Sequence, residues 1–180
     1  MMTTFIALLR GINVGGKNKV DMKQLKLAFT EAGFADVRTY INSGNVIFIS
    51  NKAAADVKKD CEAVILESFG INIAVAVITA DELTDALNHA PEWWGKSADE
   101  KHNAIFVIAP ATAKEVCDEV GEIKPEHERC AHYGSVIFWS APKETFSHTR
   151  WSAISKRTTY QKITIRNSNT AYRLLELVKQ

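Results

Sequence analysis

One seven-residue pattern occurs twice in this sequence, and the repeat constrains the fold more than any other feature. Residues Gly44–Ser50 and Gly134–Ser140 both read G-x-V-I-F-x-S, and the two copies start half of the 180-residue chain apart. Self-similarity at a fixed spacing is the signature of a repeated structural unit. The sequence therefore predicts an internal duplication, in which two halves have the same order of strands and helices.

The first half reads as strands and helices in the order β-α-β-β-α-β, followed by one short helix. Apolar strands are predicted at residues 5–9, 37–42, 45–50 and 73–78, and helices between 21 and 33, over 54–69 and over 79–88. Asp21 is a typical N-cap residue, and Thr79 with Glu82 matches a capping box.

The second half repeats this order. Strands are predicted at 103–109, 129–133, 136–140 and 163–166, and helices at 112–120, 147–160 and 169–179. The sequence thus predicts an α+β fold of two ferredoxin-like halves, residues 1–90 and 102–180, joined by a polar linker at 91–101. Because residues 46–49 and 136–139 are apolar at consecutive positions, both faces of each sheet must be covered, which predicts one compact two-lobed molecule.

Composition excludes several classes of function. The formal net charge is +1, so no global electrostatic field directs the chain to nucleic acid. No apolar run approaches the roughly 20 residues needed to span a bilayer, so no membrane partner is expected, and the N-terminus does not read as a signal peptide. The three cysteines, Cys61, Cys117 and Cys130, lack C-x-x-C spacing, which favours reduced, mostly buried thiols in a cytoplasmic protein.

Three motifs resemble a bacterial family known as domain of unknown function 1697. They are LRGINVGGKN at Leu9–Asn18, YINSGNV at Tyr40–Val46, and T-x-R-N-x-x-T at Thr164–Thr170. The resemblance extends from near residue 4 to the C-terminus, and it implies a two-lobed α+β fold without an established reaction. Asn42 departs from the family pattern, in which Gln is frequent at this position, and it shortens the reach of the amide.

The loop after the first strand matches part of a phosphate-binding P-loop. Gly11-x-x-x-x-Gly16-Lys17 fits the start of that motif, but Asn18 replaces the Mg²⁺-binding Ser or Thr, and the element order is wrong for the P-loop fold. Two interpretations stay open: the loop holds a phosphate or carboxylate, or its glycines only allow positive-φ turns. The candidate anion ligands are Arg10, Asn13, Gly15, Gly16, Lys17, Asn18 and Lys19.

Polar side chains cluster at the first hairpin. Asn42, Ser43 and Asn45 are common turn residues, but the second hairpin has His132–Ser135 at the equivalent place. The turn therefore does not require amides, which favours a ligand role for them. We expect the glycine-rich loop and this hairpin to lie toward opposite ends of the sheet, so that they serve different sites or one of them faces the other lobe.

The segment 141–167 is strongly basic, with six Lys or Arg residues and one Glu, and aromatic residues lie between them. Arg150 belongs to this set, which could bind phosphate and stack a base, or could form a solvated helix face with Trp151 in the core. Arg166 and Asn167, at a strand end before a helix, suit a bidentate anion contact. The alternative is a structural Arg that binds carbonyl groups between the lobes.

No catalytic or metal-binding constellation is evident. His127, Cys130 and His132 are close in sequence, but a fourth zinc ligand is missing, so no metal and no cofactor are predicted. There is no G-x-S-x-G elbow and no pair of carboxylates at a predicted pocket. Cys61 and Cys117 lie on apolar helix stripes and are interpreted as inert.

The leading functional hypothesis is a binding module for a phosphorylated or other anionic small ligand, seated in a cleft between the lobes. The predicted site residues are Arg10, Asn13, Gly15, Gly16, Lys17, Asn18, Asn42, Ser43, Asn45, Arg150, Arg166 and Asn167. The alternatives are binding of RNA or single-stranded nucleic acid, which is less favoured, and an enzyme of unassigned class that uses the same cleft. A fourth hypothesis is a protein-interaction role for an exposed Trp93–Trp94 pair.

Overall fold

The computed structural model describes residues 1–180, which divide into two units. The first unit is Met1–Leu83 with the last residue, Gln180, and the second is Thr84–Lys179. Each unit contains one four-stranded antiparallel sheet with helices, so the predicted α+β class is confirmed. None of the helices combines the length and the apolar character that crossing a bilayer requires.

The first unit contains four strands and two complete helices, and a third helix follows at the boundary between the units. Its elements are β1 (Thr3–Leu9), α1 (Met22–Glu31), β2 (Ala35–Tyr40), β3 (Asn45–Ser50), α2 (Ala54–Phe69) and β4 (Val75–Thr79), followed by α3 (Ala80–Asn88). The sheet order is β2-β3-β1-β4. The apolar faces of α1 and α2 form a core with the sheet, which includes Phe29, Phe48 and Ile65.

Two helices of the chain begin as the sequence predicts. The Asp21 carboxylate accepts hydrogen bonds from the backbone N–H groups of Lys23 and Gln24, at 2.9 and 3.0 Å, which confirms it as the N-cap of α1. At α3, the Thr79 hydroxyl accepts from Glu82 N–H at 3.1 Å, and the Glu82 carboxylate accepts from Thr79 N–H at 2.9 Å. This reciprocal pair satisfies two backbone donors that a helix start leaves open.

The second unit contains four strands and two α-helices. Its elements are β5 (Glu100–Val107), α4 (Ala113–Val120), β6 (Arg129–Tyr133), β7 (Val136–Pro142), β8 (Ile163–Asn167) and α5 (Ser168–Val178). The sheet order is β6-β7-β5-β8, with all pairs antiparallel. Its core includes Val116 from α4 and Trp139 from β7, together with Trp151 and Ile154 from the segment between β7 and β8.

The helix predicted over 147–160 is not one α-helix. Three short 3-10 segments occupy this region, at Phe146–His148, Trp151–Lys156 and Thr158–Lys162. Thr149 and Arg157 adopt extended conformations between them, with ψ of 158° and 154°. The prediction was wrong because side chains from elsewhere in the unit bind the backbone of this region, and helical periodicity alone does not reveal such partners.

One buried carboxylate anchors the start of this region. The Glu128 side chain, 3% exposed, accepts hydrogen bonds from the backbone N–H groups of Lys124 (3.0 Å), Arg150 (2.5 Å) and Trp151 (3.3 Å). It also accepts one from the Trp139 indole N–H at 3.1 Å. A buried carboxylate with this many donors is well satisfied, so Glu128 has a structural role.

The expected exposed pair of tryptophans is not formed. Trp94 is fully buried and its ring lies 4.9 Å from Phe138 and 5.4 Å from Tyr172, measured between ring centroids. Its indole N–H donates to the Asn103 carbonyl at 2.9 Å. Trp94 is therefore a core residue, and the prediction of a Trp93–Trp94 docking surface was wrong.

Candidate functional site

The glycine-rich loop and the first hairpin are neighbours. The Asn13 side-chain amide donates to the Asn42 carbonyl at 2.8 Å, and Leu9 N–H donates to the Gly44 carbonyl at 2.9 Å. The expectation that these motifs lie at opposite ends of the sheet was wrong. Since β1 and β3 are adjacent and antiparallel, the end of β1 lies beside the start of β3, where the hairpin ends.

Two amide side chains of the loop are engaged in building it. The Asn13 amide donates to the Val20 carbonyl at 3.0 Å, and its oxygen accepts from Val20 N–H at 2.8 Å. The Asn18 amide donates to the Gly11 carbonyl at 3.0 Å. Asn13 and Asn18 both have positive φ, 54° and 51°, a conformation that Asn adopts more readily than most residues. These contacts favour the structural interpretation of both residues.

The other candidate residues of the loop are more open to solvent. Gly15, Gly16 and Lys17 are exposed, although Lys17 N–H donates to the Val14 carbonyl at 3.0 Å. Arg10 is half-buried. A surface depression of about 600 Å³ lies beside this loop, lined by Asn13, Gly16, Lys19, Asp21, Gln24 and Asn42 among others. The Asp21 carboxylate already occupies the N-terminus of α1, which disfavours an anion there.

The hairpin amides are used unequally. Asn45 is fully buried, and its amide donates to the Tyr40 carbonyl at 3.0 Å and to the Ser43 hydroxyl at 2.9 Å. Asn42, by contrast, is exposed. Asn45 and Ser43 therefore stabilise the turn, and Asn42 is the more accessible of the two amides.

The two predicted arginines of the second unit bind protein atoms. Arg150 Nε donates to the Val120 carbonyl at 2.6 Å, at the C-terminus of α4, where a cation is favourable. Arg166 is 7% exposed, and its Nη1 donates to the Thr164 hydroxyl at 2.9 Å and the Ile165 carbonyl at 3.0 Å. Burial lowers the pKa of Arg166 to about 10. Both sets of contacts favour structural roles.

A pocket of about 520 Å³ lies wholly within the second unit and has a basic wall. Lys96, Lys101 and Lys143 line it, and all three are exposed. The carboxylate that lines it belongs to Glu100, and Arg129 Nη2 donates to both of its oxygens, at 2.7 and 2.8 Å. Because this acid is paired, the pocket presents a net positive charge to a ligand.

His102 lines the same pocket and is held at both ring nitrogens. Its Nε2 lies 2.9 Å from the Ser97 carbonyl, and its Nδ1 lies 2.5 Å from the buried Ser140 hydroxyl. The Ser97 backbone N–H also lies 3.3 Å from Nε2, so both polar groups of Ser97 face this nitrogen. These contacts hold the ring in place, so His102 gives the pocket wall a fixed shape.

The start of α5 completes the pocket. Asn167, Ser168 and Asn169 line it, and the Asn167 side chain caps the helix by accepting from Thr170 N–H at 2.8 Å. Of the residues predicted from the sequence, Asn167 is the one that lies at this pocket. Lys143 belongs to the basic segment identified from the sequence, but Lys96 and Lys101 were missed, because each resembles an ordinary surface lysine.

No group of three or more His, Cys, Asp or Glu side chains is arranged to hold a metal ion. His127, considered as a zinc ligand from the sequence, instead lies edge-on to His148, with 5.8 Å between ring centroids.

The comparisons with known proteins concern the family and the fold. The sequence model of one family, described as "Protein of unknown function (DUF1697)", matches residues 2–138. The solved structure of the conserved bacterial protein SP0830 from Streptococcus pneumoniae is similar over 100% of both chains, with a TM-score of 0.90 and 28% identity. No curated protein matches the sequence significantly.

A second structural match is too weak to support an argument. It is to the first two RRM domains of the yeast poly(U)-binding protein Pub1, with a TM-score of 0.24 and 10% identity over 92% of this chain and 98% of that chain.

Proposed function

The chain belongs to the DUF1697 family of proteins of unknown function, and from that premise we propose that it binds a phosphorylated or other anionic small molecule in the pocket of its second unit. The observation that carries the proposal is the basic wall of Lys96, Lys101 and Lys143 around a paired Glu100. The sequence predicts a ligand cleft between the lobes, and that location stays a prediction.

Electrostatics favours an anion in this pocket. Lysine ammonium groups around a concavity focus the positive potential, because the protein walls have a lower dielectric constant than water. The N-terminus of α5, at Ser168, adds the positive end of a helix dipole to the same wall. One of the cations, Lys101, also lies over the Phe146 ring, 4.3 Å from its centroid, which limits its freedom to move away.

The size of the pocket favours a small molecule over a polymer. Small-molecule sites have volumes of about 300–1,000 Å³, and this pocket, at about 520 Å³, falls within that range. Binding of single-stranded nucleic acid uses a basic groove with several aromatic platforms for successive bases. No Phe, Tyr or Trp is among the residues that line this pocket, so it lacks the large aromatic platforms on which successive bases stack.

The test is calorimetric titration at low salt with inorganic phosphate, pyrophosphate and a hexose phosphate. We expect Lys96→Ala and Lys143→Ala each to weaken the binding of the best of these probes by about tenfold, which corresponds to about 1.4 kcal/mol. Lys59→Ala, an exposed lysine on α2, is the matched control and should bind as the parent protein does.

Three outcomes are informative. No binding of any probe, or binding unchanged in both pocket variants, would overturn the proposal. If Lys17→Ala were the only variant to weaken binding of the probe, the anion would instead be assigned to the glycine-rich loop of the first unit. A preference for short RNA over all small anions, abolished by added salt, would favour the nucleic-acid alternative.

We further infer that the two units descend from one duplicated ferredoxin-like unit. Their strand orders correspond, β2-β3-β1-β4 and β6-β7-β5-β8, and the repeated G-x-V-I-F-x-S pattern lies on β3 and β7. A crystal structure with different strand orders in the two units would contradict this inference.

A further inference from the structure

The pocket of the second unit lies where one strand extends past its neighbour. Strand β5 pairs with β7 from Glu100 onward, but with β8 only from Asn103 onward. Since β8 runs antiparallel to β5 and ends at Asn167, residues 100–102 of β5 have no strand beside them on that side. The pocket occupies this gap, and the start of α5, which directly follows β8, forms one of its walls.

The loop before β5 forms another wall and lies against the start of α5. A Cβ on Gly95 would lie 3.1 Å from Tyr172 Cε2 and 3.7 Å from Ser168 Cβ. The preceding residue, Trp94, is buried, and its indole N–H donates to the Asn103 carbonyl at 2.9 Å. The loop is therefore tied both to β5 and to α5, and the pocket has a defined shape.

Ser168, the first residue of α5, has a hydroxyl group that no protein group binds. The residue is 8% exposed and lines the pocket, and its hydroxyl has no hydrogen-bond partner in the protein. A polar side chain in so buried a residue normally has a partner. An unpartnered hydroxyl at the wall of a pocket therefore indicates that a ligand supplies the missing contact.

The backbone at the start of α5 offers two more donors. The first N–H groups of a helix have no acceptor within the helix. The Asn167 side chain accepts from Thr170 N–H at 2.8 Å, which leaves the N–H groups of Ser168 and Asn169 without an acceptor in the protein. These two N–H groups, the Ser168 hydroxyl and the positive end of the helix dipole together favour a phosphate group, whose oxygens are strong acceptors.

A side-chain amide on β5 provides a contact for the rest of the ligand. Asn103 is half-buried and lines the pocket, and its side chain has no hydrogen-bond partner in the protein. A side-chain amide both donates and accepts hydrogen bonds, as a hydroxyl group does. A sugar hydroxyl can therefore satisfy this amide, whereas an alkyl group cannot.

We propose that the ligand of this pocket is a sugar phosphate, whose phosphate group binds the start of α5 and whose hydroxyl groups bind the Asn103 amide. The proposal rests on the proposed function, since it requires that the pocket binds an anion. The phosphate group accepts hydrogen bonds from the Ser168 hydroxyl and from the N–H groups of Ser168 and Asn169, and the lysines of the basic wall balance its charge.

The experiment is calorimetric titration of the full chain at low salt with ribose 5-phosphate, glucose 6-phosphate and ethyl phosphate, a monoester without hydroxyl groups. We expect the better of the two sugar phosphates to bind about tenfold more tightly than ethyl phosphate, because its hydroxyl groups satisfy the amide. Ribose and glucose themselves, which lack the phosphate group, should give no measurable binding.

Two variants separate the phosphate contact from the sugar contact. Ser168→Ala should weaken the binding of both kinds of ester by about fivefold, since it removes one hydrogen bond to the phosphate group. Asn103→Ala should remove most of the preference for the sugar phosphate over ethyl phosphate. Ser135→Ala and Asn88→Ala, at exposed residues of the same unit outside the pocket, are the matched controls and should bind as the parent does.

Thermal unfolding of the free protein distinguishes a ligand contact from a structural one. Because the Ser168 hydroxyl has no partner in the protein, Ser168→Ala should leave the Tm unchanged in the absence of ligand. A marked loss of Tm in this variant would assign Ser168 to the fold and would overturn its role at the ligand.

The outcomes separate this inference from the proposed function. If ethyl phosphate bound as tightly as both sugar phosphates, and Lys96→Ala and Lys143→Ala still weakened all three, the pocket would bind anions and the sugar-phosphate assignment would be overturned. Binding that is weakened by the lysine variants but unchanged in Ser168→Ala would overturn the seat of the phosphate group at α5. No binding of any ester would overturn both proposals.

Discussion

The connection from the third to the fourth strand along the chain, β3 to β4 in the first unit and β7 to β8 in the second, differs between the two units. In the first unit this connection is α2, a 16-residue helix that buries Val57, Cys61 and Ile65 along one stripe. In the second it is the set of 3-10 segments from Phe146 to Lys162, which buries Trp151 and Ile154. The strand orders nevertheless correspond. Strand order therefore does not depend on a regular helix at this place, provided that apolar side chains cover the sheet.

The two connections are stabilised by different interactions. Helix α2 is stabilised by hydrogen bonds between its own backbone groups, and Gly70, in the left-handed conformation, ends it. The 3-10 region depends on partners outside itself: Glu128 binds its start, and Glu119 binds Thr159 and Lys162 near its end. Removal of these partners should therefore destabilise the second unit in a way that has no counterpart in the first.

The largest expected effect is that of Glu128→Ala. The change leaves four N–H donors without their acceptor, including those of the buried Trp139 and Trp151, so we expect a loss of about 3 kcal/mol in the free energy of unfolding. Urea denaturation measures it. Glu126→Ala, at an exposed neighbour, should change stability by less than about 0.5 kcal/mol. Equal effects of the two variants would contradict the anchoring role.

The hairpin glycines provide the second contrast. A Cβ on Gly44 would lie 2.7 Å from Ile12 Cδ1 and 2.9 Å from Leu9 Cβ, whereas a Cβ on Gly134 would meet open space. Both glycines have positive φ, 87° and 57°. We expect Gly44→Ala to cost about 3 kcal/mol from overpacking and strain, and Gly134→Ala about 1 kcal/mol from strain alone. Similar unfolding midpoints for the two variants would show that the close approach to Leu9 and Ile12 is not limiting.

Removal of the Asn13 amide, which joins the loop to the hairpin, should have a smaller effect on stability. Asn13→Ala removes side-chain hydrogen bonds to Asn42 and to both backbone groups of Val20, and we expect it to cost about 1–2 kcal/mol. Asn42→Ala is the matched control, because Asn42 accepts this bond through its backbone carbonyl and should retain it. Chemical denaturation of both variants gives the difference, and an equal loss in Asn42→Ala would argue against this assignment.

The smallest expected effect is a dependence of stability on pH, which arises from Glu119 and its partners at the end of the 3-10 region. Hydrogen bonds from Lys162 and Thr159 hold the pKa of Glu119 below its ordinary value of 4.5. A lowered folded-state pKa contributes stability above pH 4.5 that is lost as pH falls through the folded-state value. Thermal unfolding should therefore show Glu119→Gln less stable than the parent at pH 7, with the difference shrinking toward pH 3.

The control for this pH series is Glu122→Gln, since Glu122 is exposed on the loop after α4. We expect its Tm to follow that of the parent at every pH. If the Tm difference between Glu119→Gln and the parent stayed constant from pH 7 to pH 3, ionisation of Glu119 would not stabilise this region.

Local signals in the sequence predict much of the element order. Asp21 caps α1, the Thr79–Glu82 pair caps α3, and α2 spans Ala54–Phe69 as its apolar stripe predicts. These features depend on residues within a few positions of one another, so a short window of sequence contains them. The 147–160 region failed as a helix prediction because its decisive partner, Glu128, lies outside any such window.

The candidate site was far less accessible to sequence reasoning. Asn167 was identified from its place before a helix, but Lys101 comes close to the segment that contains Lys143 only when β5 pairs with β7 in register. Several predicted ligands, such as Asn13, Asn45 and Arg150, are instead engaged with backbone groups of the fold. A polar residue in a loop has the same appearance in sequence whether it binds a ligand or a carbonyl.

The sequence by itself determined the α+β class, the order of the strands, the α-helices outside the 147–160 region and the caps of α1 and α3, because periodicity and capping are local properties of the chain. Only the tertiary structure decided that Asn13 meets Asn42 and that three separated lysines share one pocket. These contacts depend on the direction and register of strand pairing and on helix packing against the sheet, which bring together residues that are distant along the chain.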